Sequence, residues 1–484
     1  MRSLLPARLA KSTAQRLTAA SLLAGFAAGI DGTSTFIVFP AIRDDLANGD
    51  TASATWILTI VGITSAAVLL QAGRLADRFG HNRILVISAL TATAASLLSA
   101  VAPTLGFLVG ARGLQAAALA GLAVSSIAIV VRESEPSKLG ASLGRWGFWT
   151  AVAGVLGPLL ASVFVEFASW RWMFAFSAPI ALAVALLALP SWANSHRGSR
   201  QGVIDYLGTL LAMGGVSLLV LALLEGNDWG WGNPQTIAAL VASAAMLLAV
   251  VLRSRTHPDP ILPLQLFRRR RFVLGLAIGF VSSIMFFGMW LALLSYATGV
   301  WEYGIIATAF ILAIMPGTMV PITQPAGRTA DRHGARGIMT FGALMFSAGF
   351  AATALLVGAE PAWPLLLPAV VAGGVGMGTI LPNTMNVGTS ALEPEVVGTG
   401  AALLQTTSRI GAGLGSALVV AILEAGTIGE VETHQRSLWL IVIAGLVTAV
   451  LCSFITPLQS ARPPQNSHGP PQGAAVPSTD EDAR

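Results

Sequence analysis

Gly73-Arg-Leu-Ala-Asp-Arg-Phe-Gly80 and Gly327-Arg-Thr-Ala-Asp-Arg-His-Gly334 are two copies of one octapeptide, identical at six of eight positions. Each is bracketed by apolar stretches. A bilayer core of about 30 Å takes a helix of about 20 apolar residues. Fourteen such stretches run along the chain, from 18–42 to 437–457, and eight of them lie between the two copies. An even number keeps both copies on one side of the membrane. The repeat is therefore parallel, its halves related by an axis along the membrane normal. Two halves of six spans would leave only six between the copies. The two in excess, 205–225 and 235–253, are expected between the halves.

Composition agrees. The 484 residues are 54% hydrophobic and 11% charged, with a mean hydropathy of +0.73. A soluble domain carries about 25% charged residues, so a soluble enzyme and a disordered chain are both excluded. Cys452 is the sole cysteine, which removes a disulfide frame and a cysteine metal cluster. The net charge of +5 does not indicate nucleic acid, because the basic residues are scattered over short loops without an aromatic–basic patch. The expected fold is all-α, with 14 transmembrane helices. Residues 1–17 form an N-terminal segment, 18–194 a six-helix bundle, 195–271 the two extra spans with a Pro- and Arg-rich connector, and 272–457 a second six-helix bundle. Residues 458–484, rich in Pro, Gly, Gln and Ser, read as a disordered tail.

Cations set the orientation. With the N-terminus inside, 23 of the 28 Lys and Arg fall on the inner side; Arg43, Arg171 and Arg436 fall outside, and Arg112 and Arg409 lie within spans. Both termini are thus expected in the cytoplasm. Twenty-six Arg against two Lys point to a GC-rich bacterial genome, hence a bacterial plasma membrane.

The first span carries Asp31-Gly-Thr33 with Pro40 after it, and the fourth carries Arg112 and Gln115. Gly157-Pro158 stands in the fifth, and Trp170-Arg-Trp-Met-Phe174 with Pro179 opens the sixth. With the octapeptides, these residues resemble the motifs of the major facilitator superfamily, specifically its fourteen-span drug:proton antiporter family, over residues 15–457. Ala116, Ala118, Ala161 and Ser162 stand where that family has glycines, and Ser177 where it has Asn. The resemblance implies alternating access between two bundles, with spans 1 and 4 side by side along the cavity. It also implies that the octapeptides (Gly73, Asp77, Arg78, Gly80; Gly327, Asp331, Arg332, Gly334) latch the cytoplasmic side, with orientation by positive charge alone as the alternative.

The residues limit the energy source. The two lysines, Lys11 and Lys138, do not sit in a phosphate-binding Gly-x-x-x-x-Gly-Lys-Ser/Thr loop, so transport is passive or ion-driven and no cofactor is expected. All six histidines lie in loops or the tail, and Asp31 is the one acidic residue deep in a span. An ionisable group there costs roughly 2.5–3.5 kcal/mol on insertion scales and marks function. At 1.5 Å per residue Asp31 lies about 13 Å below Pro40 and Arg112 about 12 Å below Thr104, so the two share a level. Asp31 and Arg112 are read as a proton-coupling pair, with a static ion pair between two helices as the alternative. For Arg409, helix bridging and contact with an anionic substrate stand as equal readings. Gly73 and Gly80 are read as turn glycines, and Gly157-Pro158 as a flexing point or a packing kink.

Phe36, Trp56, Trp149, Phe287, Trp290 and Met315 are candidates for an apolar cavity wall. The expected function is proton-coupled export of a lipophilic drug or antibiotic by a monomer in the lipid bilayer. Efflux or symport of an endogenous metabolite is the alternative, ahead of a non-transporting receptor.

Overall fold

The computed structural model describes residues 7–192, 205–258, 260–390, 392–393, 396–424 and 431–456. The tail expected at 458–484 lies outside them, as do 1–6 and part of the 195–271 segment. Among the described residues there is no strand. Fourteen helices follow the apolar stretches in order: α1 (Ala7–Leu46), α2 (Thr51–Phe79), α3 (His81–Ala100), α4 (Leu105–Glu133), α5 (Leu139–Phe167), α6 (Arg171–Ala188), α7 (Tyr206–Trp229), α8 (Pro234–Arg253), α9 (Arg270–Gly299), α10 (Ile305–His333), α11 (Ala335–Leu356), α12 (Leu367–Thr389), α13 (Val397–Glu424) and α14 (Val431–Ser453). Twelve are each long and apolar enough to cross a bilayer among the described residues. The bent pair of limbs Thr13–Thr35 and Ile37–Leu46 in α1 makes a thirteenth.

Helices α1 to α6 form one bundle, in which α1 packs on α4, α5 and α6, and α3 on α4 and α6. Helices α9 to α14 form the second, in which α9 packs on α12, α13 and α14, and α11 on α12 and α14. The bundles meet along two seams, α2 against α13 and α5 against α10. The extra pair sits at the first seam: α7 packs on both α2 and α13, and α8 packs on α7. Leu224 of α7 lies against Gly62 of α2, and Leu223 against Gly413 of α13. Asp205 caps α7 through the Gly208 N–H at 2.8 Å and also accepts from Arg253 Nε at 2.5 Å, which closes the α7–α8 hairpin.

Helix association in lipid has no solvent-driven hydrophobic term, so close approach through small residues replaces it. The seams are built that way. A Cβ on Gly73 would stand 2.6 Å from the Gly398 carbonyl oxygen, and one on Gly327 would run into the Gly140 carbonyl oxygen. These two glycines are therefore packing residues. The reading of Gly73 as a turn glycine is corrected here: α2 runs on to Phe79 and α10 to His333, so each octapeptide is mostly the end of a helix. The apolar pattern stops earlier because Arg and Asp can continue a helix outside the hydrocarbon. Only the last glycine of each copy makes the turn, with φ at +100° for Gly80 and +84° for Gly334. Helix α5 also stays unbroken through Pro158, and Gly157 is a contact residue against Ile30 and Thr33 of α1.

Gly317, on the same helix as Gly327, meets open space. Gly327→Leu is expected to destabilise the solubilised protein by about 1–3 kcal/mol, read as a lowered unfolding midpoint, while Gly317→Leu leaves it unchanged or raised. Equal effects at the two sites would contradict this packing.

Candidate functional site

Charge in the interior gathers at α1 and α4. Asp31 is 5% exposed and Arg112 1%. Arg112 Nη1 donates to Asp31 Oδ1 at 2.6 Å and to Gln115 Oε1 at 2.7 Å, while Nη2 donates to Thr35 Oγ1 at 3.0 Å. Thr35 in turn donates to the Asp31 carbonyl oxygen at 2.8 Å, and Gln115 Nε2 donates to Ser96 Oγ at 2.9 Å. The Arg112 guanidinium also lies 5.2 Å from the centre of the Phe174 ring. Helices α1, α3, α4 and α6 thus converge on one guanidinium, and all belong to the first bundle. Arg112 Nε has no partner among the described residues. A buried pair is costly to break: removing one partner typically costs about 3–5 kcal/mol.

Arg409 reaches this centre from the second bundle. On α13 it follows the helical face of Gly398 and Ala402, which abuts Gly73 of α2. Its side chain is exposed and within electrostatic reach of Asp31. Asp31 is thus paired with a cation of its own bundle and interacts electrostatically with a cation of the opposite one.

The expected wall residues divide. Phe287 and Trp290, both half-buried, project from the sector of α9 between Gly275 and Gly279, which meet α12 and α13, and Gly288, which meets α13. Trp56, 41% exposed, is corrected: it shares its face of α2 with Thr59 and Ile63, which meet Glu225 and the Val216–Val220 stretch of α7, so it turns toward the extra pair and not toward the opposite bundle. Two further candidates are corrected. Met315 is 1% exposed in the core of the second bundle, beside Gly373 and Gly374 of α12. Trp149 points away from the α5 face that carries Gly140, Gly144, Gly147 and Gly154 against the second bundle, and packs edge-on to Phe26 at 6.2 Å. The side chain of Phe36 lies outside the described residues.

The two octapeptides close one face of the molecule by the same device. Asp77 Oδ1 accepts from the Gly398 N–H at 2.9 Å, and Oδ2 accepts from the Thr399 N–H at 2.7 Å and its hydroxyl at 2.5 Å. Asp331 accepts from the N–H groups of Gly140 and Ala141, both at 2.7 Å. Each aspartate of one bundle thereby binds the N-terminus of a helix in the other, where unpaired N–H groups and the helix dipole favour an anion. Of the two arginines expected in the gating motif, Arg332 is exposed and Arg78 lies 5.9 Å from the Phe79 ring centre.

Sequence reading missed Glu225. It is buried on α7 and accepts from the Thr59 hydroxyl of α2 at 2.8 Å. The signal was present, since α7 continues to Trp229 and so carries Glu225 inside its last turns. Among the described residues no group of His, Cys, Asp and Glu could hold a metal.

The sequence matches the Major Facilitator Superfamily profile over residues 21–416 and 295–479. It is 33% identical over 420 residues to the puromycin resistance protein of Streptomyces alboniger, covering 84% of this chain and 81% of that one. It is 29% identical over 484 residues to the cephamycin export protein of Amycolatopsis lactamdurans, covering 95% and 96%. The fold is also that of the human organic anion transporter of known structure, with a TM-score of 0.68 at 12% identity, covering 91% of this chain and 99% of that one. The chain is a multi-span membrane transporter, not an enzyme, and belongs to the major facilitator superfamily.

Proposed function

We propose that this transporter exports lipophilic small molecules, drugs or antibiotics among them, in exchange for protons. It works as a monomer in a bacterial plasma membrane, with both termini and the octapeptide face in the cytoplasm. The excess of Lys and Arg on that side supports the orientation. Two relatives named for puromycin resistance and cephamycin export support the substrate class.

The observation that carries the reading is Asp31, a carboxylate inside the membrane held by Arg112 of its own bundle and facing Arg409 of the other. The Arg112 network is confined to one rigid bundle, so rocking leaves it intact. The Asp31–Arg409 attraction crosses between bundles and changes as they move. A proton on Asp31 removes the negative charge and with it that attraction. Proton occupancy and bundle position are then linked, which is what exchange requires. With both aspartate latches made, the structure corresponds to the state closed to the cytoplasm. Phe287 and Trp290 give the ligand apolar contact, and Gly157 lets α5 come close to the turn that carries Asp31.

Asp31→Asn is expected to reduce pH-gradient-driven efflux in inverted vesicles to background while the protein remains in the membrane; undiminished efflux would sink the coupling role. Asp77→Asn and Asp331→Asn each remove a charge from a helix N-terminus, a change of about 0.5–2 kcal/mol. Spin-label distances across the octapeptide face should show the open population rising about 2- to 30-fold, and an unchanged distribution would contradict the latch.

A further inference from the structure

A cavity of about 1200 Å³ opens at the octapeptide face, away from Asp31. Four arginines line it: Arg132 at the end of α4, Arg271 at the start of α9, and Arg332 and Arg336 on either side of the α10–α11 turn. His81 and His333 join them. Among the described residues the one carboxylate on its wall is Asp331, and both of its oxygens are already taken by the Gly140 and Ala141 N–H groups. Arg132 is partly satisfied by Glu133 and Asn82. Arg332 and Arg336 are exposed. Two buried nitrogens of lining residues, Arg271 Nε and His81 Nδ1, have no partner in the described structure.

The site is cationic at its rim and apolar in its walls, where Val131, Leu139, Leu392 and Val397 stand. Arginine matches the oxygens of a phosphate through paired N–H donors. Arg271 and Arg336 lie in the first turns of their helices, at headgroup depth for the orientation proposed above. A free phosphate would satisfy the arginines and leave the apolar walls wet. A phospholipid satisfies both, with its phosphate on the guanidinium groups and its acyl chains starting along the walls. The lining also comes from both bundles: His81, Arg132 and Leu139 from the first, Arg271, Arg332 and Arg336 from the second.

We propose that this cavity binds the headgroup of an anionic phospholipid of the cytoplasmic leaflet, and that the bound lipid braces the two bundles in the latched state. A ligand that touches both bundles only when they are together stabilises that arrangement by its differential affinity. The proposal stands whichever substrate is carried.

The test uses the full-length protein, purified and delipidated, titrated with phosphatidylglycerol, with phosphatidylcholine of the same acyl chains, and with inorganic pyrophosphate. Phosphatidylglycerol is expected to bind at least about tenfold more tightly than phosphatidylcholine. The double variant Arg271→Gln with Arg336→Gln should weaken that binding about 30-fold. The double Lys variant, which keeps the charge, should retain most of it and so separates lost charge from misfolding. Spin labels at Lys138→Cys and Glu393→Cys should report a larger latched population when phosphatidylglycerol is added. Equal binding of the two lipids, or full binding by the Gln variant, would overturn the site. Pyrophosphate matching phosphatidylglycerol would overturn its assignment to lipid, and binding with no change in the latched population would overturn the brace.

Discussion

A carboxylate placed in hydrocarbon has to be answered by a cation, and the answer given to Asp31 organises the first bundle. Arg112 is anchored by Asp31, Gln115 and Thr35, and Gln115 by Ser96, so three helices are tied to one guanidinium and a fourth supplies the Phe174 ring. An ion pair of this kind contributes little net stability compared with well-packed apolar residues. Its retention makes sense in terms of what the charge does. The carboxylate remains within electrostatic reach of a second cation, Arg409, which belongs to the opposite bundle.

The two inter-bundle aspartate contacts obey the same electrostatics. A helix that begins at the seam exposes unpaired N–H groups, and an aspartate from the opposite bundle satisfies them. The arrangement is reciprocal: α2 supplies Asp77 to α13, and α10 supplies Asp331 to α5. The glycines one turn earlier, Gly73 and Gly327, allow the backbones to come near enough for those hydrogen bonds. Packing and charge are therefore two parts of one contact, and both repeat because the halves repeat. The α7–α8 pair lies on one seam only, so the two seams are not equivalent: α2 and α13 share a third helix, with Glu225 of α7 turned toward Thr59.

Much of this was readable from the residues. Apolar length gave the helices, the octapeptide gave their division into two related sets, and matching depth brought Asp31 to Arg112. Other features depend on partners far along the chain. Nothing local to Asp77 names Gly398 as its partner, and nothing local to Gly73 separates a turn glycine from a packing one. Trp56, Met315 and Trp149 were misplaced because apolar character alone does not say which side of a helix faces the other bundle. In a membrane helix lipid, core and cavity can all be lined by the same side chains. Glu225 was overlooked because the apolar run was ended one turn too early.

The central claim is that substrate and proton exchange through Asp31. It is tested most directly by adding a transported substrate to proteoliposomes of the purified protein, with no imposed pH gradient, and following internal pH with a trapped dye. Substrate movement down its gradient should drive protons the opposite way, and Asp31→Asn should abolish the proton signal. Substrate flux with no accompanying proton movement in the wild-type protein would contradict the exchange.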